Sequence, residues 1–445
     1  MLNPSFISAL ARSILAGEAA VEPIVDRASR TLGRNWRWLR PLARRYQKAF
    51  GSEAHPKKRE VCAFLSLDEG LLRAHKRHGK RLRIESRLAE PSRMRPMNAA
   101  RAWEIPAIES VGTLASWLGV SPSELEWFAD LKRIGAKLGT VRIEDPVSHY
   151  HYRILAKAGG NIRLIEAPKR RLKEIQRKVL SEILDKIPAH SAAHGFRRGH
   201  SITTFAAGHA GRRVVLRMDL KDFFPSLSAA RVQAFFRTAG YPESVSSFLA
   251  GICTNSVPRS LWSSVRNEID SPTLTEIRAF YFSPHLPQGA PTSPALANLT
   301  SYRLDCRLSG LAKSAGAVYT RYADDLAFSG GGLFERSVER FSIQAAAILL
   351  EEGFAVQHRK TRIMRQGVRQ SLVGLVINKR MNVARDEFDR LKAILTNCVR
   401  HGPESQNRDA HAHFRLHLEG RVGFVETVNS AKGKRLRKIL EQIRW

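Results

Sequence analysis

Two apolar segments of the chain each lead into aspartate. Residues 214–218 predict a buried β-strand that ends at Asp219, and residues 317–322 predict a second strand that leads to Asp324 and Asp325. The apolar pattern then resumes, which indicates that the aspartate pair lies at the turn of a hairpin. Because a buried carboxylate is costly unless it is paired or binds a metal, these strand ends are candidates for chemistry.

Other segments predict a further hairpin and several helices. Residues 149–166 alternate like two strands around a Gly-Gly-Asn turn at 159–161. The segment after Pro168 predicts an amphipathic helix with a basic outer face. Residues 110–135 predict two helices, the second beginning with a Ser-Pro-Ser-Glu capping box at 121–124. This pair resembles a helix-turn-helix, but its second helix is acidic, which disfavours a DNA-binding regulator.

The composition indicates a polyanionic partner. The 445 residues include 73 Lys and Arg against 41 Asp and Glu, a net charge of +32, which favours nucleic acid. Residues 30–101 hold 20 basic and 6 acidic side chains. Within them Arg34, Arg37 and Arg40 alternate with tryptophan, an arrangement suited to phosphate binding and base stacking. A solvated helix face with buried tryptophans is the alternative interpretation.

The sequence disfavours several other classes of protein. No apolar run approaches the roughly 20 residues of a membrane-spanning helix. The N-terminus lacks the pattern of a signal peptide. The four cysteines are scattered without CxxC spacing. We therefore expect a cytoplasmic protein with reduced thiols and without a membrane partner.

The three aspartates form a set of hard oxygen ligands suited to Mg²⁺. Two such ions, roughly 3.5–4 Å apart, would activate an attacking hydroxyl and stabilise a leaving pyrophosphate. An isolated Asp-Asp turn is common as a simple hairpin cap. The Tyr-Ala-Asp-Asp string at 322–325, its flanking strands and the upstream strand that ends at Asp219 together favour a catalytic site instead.

The ordered motifs resemble those of reverse transcriptases. Residues 322–325 resemble the signature turn of that family, and residues 219–224 resemble its first palm motif. Residues 286–294, which read Leu-Pro-Gln-Gly-Ala-Pro-Thr-Ser-Pro, are similar to the palm segment beside the incoming nucleotide, in the version typical of bacterial retrons. Residues 194–202 resemble the retron fingers. The resemblance covers roughly residues 140–445.

The resemblance implies metal-binding and proton-transfer roles for matching residues. Asp219, Asp324 and Asp325 would bind the metals, and the backbone carbonyl of Leu220 would complete one site. Lys360 falls where the palm often offers a general acid to the pyrophosphate, and plain phosphate binding is the alternative.

The same resemblance implies a nucleotide-binding set. Phe224 would lie under the sugar and exclude a 2′-hydroxyl, with a core aromatic as the alternative. Gln288 would contact the nucleotide sugar or the template pair. Arg163 would clamp the triphosphate with its guanidinium fork, or else is one more solvated base.

Two elements that retrons use to recognise their structured RNA differ here. The Asn-Ala-x-x-His element reads Phe-Ala-Ala-Gly-His, so that Phe205 replaces the asparagine and His209 is expected to contact RNA. The Val-Thr-Gly triplet reads Leu-Val-Gly at 372–374. These departures leave open a priming route other than the 2′-hydroxyl start that retrons use.

We therefore expect an α+β protein with the right-hand polymerase fold. A basic helical extension would span residues 1–135, fingers and palm 136–380, and a helical thumb 381–445. The predicted function is RNA-directed DNA synthesis of retron type, which copies a structured noncoding RNA into DNA from dNTPs in antiphage defence. An effector protein encoded nearby is a further candidate partner. The alternatives are a non-retron defence reverse transcriptase and a catalytically idle nucleic-acid-binding scaffold.

Overall fold

The computed structural model of the protein divides between Arg93 and Met94 into two units. The residues that the structure describes are 3–51, 56–86, 93–132, 148–156, 162–258, 261–262 and 280–445. The boundary lies before residue 135, the predicted end of the N-terminal extension, because the helices at 111–129 share a hydrophobic core with the central sheet. None of the helices in the described ranges has the length and apolar character needed to cross a membrane.

The first unit is helical. Its core is formed by the apolar faces of amphipathic helices, in which Leu10 and Leu39 are buried. Asp68 begins one helix by accepting a hydrogen bond from the backbone N–H of Leu71, and its carboxylate binds the Arg45 guanidinium at 2.6 and 2.8 Å. The elements of this unit are α1 Pro4–Leu15, α2 Val21–Thr31, α3 Leu39–Phe50, α4 Lys58–Leu67, α5 Glu69–His78 and a 3₁₀ turn at Gly79–Arg81.

The second unit begins with a 3₁₀ turn at Asn98–Ala102 and the two predicted helices, α6 (Val111–Leu118) and α7 (Pro122–Ala129). The predicted capping box is confirmed. The Ser121 hydroxyl accepts from the backbone N–H of Glu124 at 3.2 Å, and the Glu124 carboxylate accepts from the backbone N–H of Ser121 at 2.8 Å. These bonds satisfy two N–H groups that a helix start leaves without partners.

The predicted hairpin is also present. Strand β1 (Tyr150–Ala156) pairs antiparallel with β2 (Ile162–Pro168). The turn predicted at 159–161 lies outside the described residues. Helix α8 (Arg170–Glu182) follows directly, and a 3₁₀ turn at Leu184–Lys186 ends the segment. The main apolar positions of this segment are buried, and Arg170, Arg171 and Arg177 are exposed, which is the predicted amphipathic pattern. Lys178 is half-buried and donates to the carbonyl of Trp117.

The central sheet has the strand order β4-β5-β3-β6, and β7 also pairs with β3. All of these pairs are antiparallel. Strand β3 buries its apolar side chains under helices, and it continues to Lys221 instead of ending at Asp219 as predicted. The strands are β3 Val214–Lys221, β4 Ala317–Tyr322, β5 Asp325–Gly330, β6 Ala355–Val356 and β7 Arg362–Arg365.

Helices surround this sheet and supply the rest of its core. The long helix after β5 buries Phe334, Val338 and Phe341 at helical spacing against the sheet. The helices are α9 Ile202–Ala207, α10 Phe223–Ser226, α11 Ala229–Thr238, α12 Glu243–Cys253, α13 Ser293–Thr300, α14 Tyr302–Ser314, α15 Gly332–Glu351 and a 3₁₀ turn at His358–Lys360.

The C-terminal part is helical, as predicted, and follows a small sheet with the order β10-β9-β8. Leu395, Leu418 and Leu436 come from its three helices and are buried in one cluster. The elements are β8 Ser371–Leu372, β9 Leu375–Val376, β10 Asn382–Val383, α16 Arg385–His401, a 3₁₀ turn at Pro403–Ser405, α17 Phe414–Val428 and α18 Ser430–Leu440.

His209 lies in the core, and this corrects its predicted contact with RNA. The residue is 0% exposed, and neighbouring Phe205 is equally buried. Its Nδ1 lies 2.7 Å from the Ser329 hydroxyl, and its Nε2 lies 2.7 Å from the Thr320 hydroxyl. Burial lowers the pKa of His209 to about 3. A neutral, enclosed ring with both nitrogens bonded joins the β4–β5 hairpin to the segment after α9, and it presents no atom to a ligand.

This burial predicts an acid-sensitive contribution to stability. The unfolded ring binds a proton below about pH 6.5 and the folded ring does not, so the free energy of unfolding falls as pH decreases from 6.5. We expect His209→Gln to reduce that slope by up to about 1.4 kcal/mol per pH unit in urea unfolding between pH 7 and 5. The exposed His413→Gln is the control, and an unchanged slope in His209→Gln would contradict the buried neutral ring.

Candidate active site

Strand pairing brings the three aspartates together. Asp219 on β3 is directly opposite Asp325 on β5 in the antiparallel register. Asp324 precedes β5 in the turn from β4, and its carbonyl accepts a hydrogen bond from the backbone N–H of Leu220 at 3.0 Å. Ala323 makes this tight turn possible with a φ of +55°. The side chain of Asp219 is only 5% exposed, and Asp324 and Asp325 are half-buried.

Two cationic side chains contact the aspartates. The Lys360 ammonium lies 3.0 Å from both carboxylate oxygens of Asp219. The Arg217 guanidinium contacts Asp325 Oδ1 through Nε at 2.7 Å and Nη2 at 2.6 Å. Lys360 is 58% exposed, whereas Arg217 is 29% exposed. The structure therefore places the predicted Lys360 at the aspartates and adds Arg217, which the sequence analysis did not single out.

The electrostatics of the site disfavour three negative charges. Burial raises the pKa of Asp324, and the nearby carboxylates of Asp219 and Asp325 raise it further. Burial also raises the pKa of Asp325, against the opposing charge of Arg217. Like charges this close favour uptake of a proton or a cation.

The aspartate oxygens fit a divalent cation, although two cationic side chains already contact two of the three carboxylates. Within the described ranges no group of three His, Cys, Asp or Glu side chains is already arranged as a metal site. At the aspartates, the ammonium of Lys360 and the guanidinium of Arg217 contact the carboxylates. The donors are the hard oxygens that Mg²⁺ prefers, and a cation would relieve the repulsion that acts on Asp324.

A buried ion pair supports the aspartate turn from below. Arg321 on β4 and Asp305 on α14 are both 0% exposed and are joined by two hydrogen bonds of 2.8 and 2.6 Å. Arg321 Nη1 also donates to the carbonyl of Ala323 at 3.2 Å. Burial alone would lower the pKa of Arg321, but the Asp305 carboxylate outweighs it and raises that pKa. Arg321 therefore keeps its charge, and it is bonded to the turn itself.

A second loop is clamped onto the same turn. Asn298 accepts a hydrogen bond from Arg321 Nη1 at 3.1 Å and donates one to the carbonyl of Gly195 at 2.8 Å. A Cβ at Gly195 would lie 2.7 Å from the backbone nitrogen of Ala323. Only glycine allows this approach, so the loop after residue 193 and the aspartate turn form one rigid unit.

The predicted nucleotide-binding residues lie on elements around this unit. Phe224 is half-buried, with ring centroids 5.6 Å from Phe223 and 6.0 Å from Phe196. The carbonyl of Gln288 accepts from the backbone N–H of Glu166 on β2 at 2.9 Å. Arg163, three residues earlier on β2, is exposed. The structure therefore joins the Gln288 segment to the strand that carries Arg163.

Glu166 is the centre of that junction. Its side chain is fully buried; one oxygen accepts from Asn255 at 2.7 Å, and the other lies 2.9 Å from His285 Nε2. Burial opposes the charge of His285, but Glu166 outweighs it, so the pKa of His285 is raised. Gly289 has a φ of +136°, and a Cβ there would lie 2.9 Å from the Glu166 carbonyl.

The three predicted RNA-binding arginines lie on the surface of the N-terminal unit. Arg34, Arg37 and Arg40 are exposed. The Arg34 guanidinium lies 5.0 Å from the ring centroid of the buried Trp36, and Arg40 pairs with Glu22 at 2.8 Å. The buried Trp36 and the solvated charges match the alternative interpretation of the sequence, a solvated face with tryptophan on its buried side.

Comparison with known proteins identifies the family of this chain. A family model described as reverse transcriptase (RNA-dependent DNA polymerase) matches residues 155–389. The retron Mx65 reverse transcriptase of Myxococcus xanthus is 40% identical over 316 residues, which cover 68% of this chain and 68% of that protein. The retron Mx162 enzyme of the same organism is 36% identical over 75% of this chain and 67% of its own. The retron Ec86 enzyme of Escherichia coli is 32% identical over 67% of this chain and 82% of its own.

The chain therefore belongs to the reverse transcriptase family, the RNA-dependent DNA polymerases. Within that class its similarity is to retron reverse transcriptases. The family and the enzyme class that the motifs predicted are confirmed. The α+β composition is confirmed as well, since helices and antiparallel sheets together form the fold.

The buried pair yields a test that separates positioning from stability. Asp305→Asn or Arg321→Met leaves one buried charge unpaired, and we expect each to lower the free energy of unfolding by about 3–5 kcal/mol. The exposed pair of Arg385 and Asp389 provides the control, and Asp389→Asn should change stability by less than about 0.5 kcal/mol.

The double variant Asp305→Leu with Arg321→Met removes both charges. We expect it to recover much of the stability in chemical denaturation. Primer extension should nevertheless stay low, because the hydrogen bond to the aspartate turn is still missing. Recovery of activity together with stability would contradict a positioning role for Arg321.

Proposed function

We propose that the protein is a retron-type reverse transcriptase that copies a structured noncoding RNA into DNA by Mg²⁺-dependent nucleotidyl transfer. The observation that supports this most directly is the meeting of Asp219, Asp324 and Asp325 at one sheet edge. In this proposal the central sheet is the palm, the β1–β2 hairpin belongs to the fingers, and α16–α18 form the thumb. These assignments follow the family's fold.

The aspartates would hold the metal in this proposal, with the backbone carbonyl of Leu220 beside them. When bound, Mg²⁺ would lower the barrier to attack by the primer hydroxyl and stabilise the leaving pyrophosphate. Arg217 holds Asp325 in place, and its charge opposes the rise that burial causes in the pKa of Asp325. The Lys360 ammonium is hydrogen-bonded to Asp219. We assign it the role of general acid, which would donate a proton from Nζ to the leaving pyrophosphate.

We assign the nucleotide to the surface between Phe224, Gln288 and Arg163. The Phe224 ring packs between neighbouring aromatic rings and keeps a partly exposed face, which suits a gate against a 2′-hydroxyl. Arg163 presents an exposed guanidinium on β2, and such a fork matches phosphate oxygens. Gln288 is tied to that strand by its carbonyl, so the backbone segments that carry the two side chains are joined.

We assign RNA binding outside the active site to basic surfaces. Arg34, Arg37 and Arg40 offer exposed charge for phosphates on the N-terminal unit. The similarity to retron reverse transcriptases supports a structured noncoding RNA as the template and DNA as the product. We further propose that this DNA synthesis acts in antiphage defence together with an effector protein.

The metal assignment predicts a selective loss of catalysis. Asp324→Asn, and separately Asp325→Asn, should reduce primer extension on an RNA template by at least about a thousandfold, because catalysis needs the metal-binding charge. RNA affinity should change little, since the basic surface is intact. Gel-based extension and fluorescence anisotropy measure the two properties, with Asp389→Asn as the control; full activity in either variant would overturn the site.

The gate assignment predicts a change in sugar selection. Phe224→Ala should raise incorporation of ribonucleotides relative to deoxyribonucleotides by about tenfold or more, because the space under the sugar opens. The ratio of kcat/KM for the two nucleotides measures it. If the variant loses stability and its selectivity is unchanged, Phe224 is a core residue only.

The retron assignment predicts a branched product. Retron synthesis begins on a guanosine 2′-hydroxyl inside the noncoding RNA, so DNA from expressing cells should remain linked to RNA after partial RNase digestion. Its mobility should shift after treatment with a debranching enzyme. An unbranched or protein-linked DNA would instead support a non-retron priming route, which the replacements at Phe205 and residues 372–374 leave open.

A further inference from the structure

Phe196 combines two features that do not stabilise the fold. Its φ is +59°, in the left-handed region that a bulky side chain rarely adopts. Its side chain is also 48% exposed. A strained backbone that presents an aromatic ring to solvent is typical of a functional contact, because neither the strain nor the exposure contributes to stability.

The surroundings of Phe196 hold it in this conformation. The backbone N–H of His194 donates to the carbonyl of Arg321 at 2.7 Å, and Gly195 is clamped by Asn298 as described above. On the other side, Arg197 Nη1 donates to the carbonyl of Ala193 at 2.8 Å. The turn is therefore bonded before and after Phe196, which fixes the position of the ring.

The ring lies at the edge of the active site. Its centroid is 6.0 Å from that of Phe224 and 6.4 Å from that of Tyr322, the first residue of the aspartate turn. Tyr322 in turn lies 5.9 Å from the buried Phe205. Phe196 is thus the solvent-exposed end of an aromatic row that begins in the core.

We propose that Phe196 is a substrate contact, whose exposed ring packs against a nucleobase in the active site. The proposal rests on the function proposed above and extends it. Phe224 is assigned to the sugar, and the base joined to that sugar, or the template base paired with it, is the aromatic partner in reach. Proteins bind unpaired bases by stacking them on aromatic side chains, independently of base identity.

Two substitutions separate the ring from the backbone. Asparagine tolerates the left-handed conformation. Phe196→Asn therefore removes the ring while the backbone keeps its conformation, with the same strain or less. Phe196→Tyr keeps the ring. With an oligo(dT) primer on poly(rA), we expect the asparagine variant to show about tenfold weaker substrate binding, whereas the tyrosine variant should stay within about twofold of the wild type.

The thermal midpoint of unfolding distinguishes contact from packing. A contact residue predicts that Phe196→Asn keeps or raises the midpoint while substrate binding weakens. If the asparagine variant is less stable than wild type, Phe196→Gly repeats the measurement with the residue that the left-handed region suits best. Unchanged substrate binding in both Phe196→Asn and Phe196→Gly would overturn the proposal. An equal loss of binding in Phe196→Tyr, which keeps the ring, would also overturn it.

The source of the base is resolved by two further measurements. A raised KM for dTTP at saturating primer–template identifies the incoming nucleotide. A raised Kd for the primer–template, with weaker quenching of 2-aminopurine at the templating position, identifies the template base. Wild-type extension is measured first: its absence would refute the polymerase function itself, whereas the Kd comparison still tests Phe196.

Discussion

Repulsion among carboxylates is the constraint around which this structure is organised. Asp219, Asp324 and Asp325 lie at one sheet edge in a setting that raises the pKa of the latter two. Such a site stays together only if the backbone cannot move apart, because each charge would gain solvation by doing so. The antiparallel register and the hydrogen bond from Leu220 to Asp324 supply that restraint.

The restraint continues into the core through a second set of charges. Arg321 and Asp305 are fully buried and form an ion pair. One guanidinium nitrogen of Arg321 also donates a hydrogen bond to the aspartate turn. Buried pairs of this kind contribute little net stability compared with apolar residues, but they fix a single arrangement. We interpret this pair as rigidity directed at the turn, since its hydrogen bonds lead through Asn298 to the loop at Gly195.

The sequence was sufficient for the strands, the capping box and the aspartates, because local periodicity and motif order encode them. It was insufficient for His209, which a motif comparison placed on RNA and the structure places between two hydroxyls. The partners of Arg217 and Arg321 were also missed, although a charged residue inside an apolar strand was a visible signal. Pairing across 108 and 16 residues depends on tertiary packing, which periodicity does not contain.

The junction at Glu166 gives the β1–β2 hairpin a mechanical property. Glu166 binds His285 through its side chain and Gln288 through its backbone, and the close approach of Gly289 leaves no space between the two segments. The hairpin and the segment at 286–294 are therefore joined by both side-chain and backbone bonds. If Arg163 binds the triphosphate and Gln288 the sugar, as we propose, a displacement of the hairpin would carry Gln288 with it, and both ends of the nucleotide site would open together.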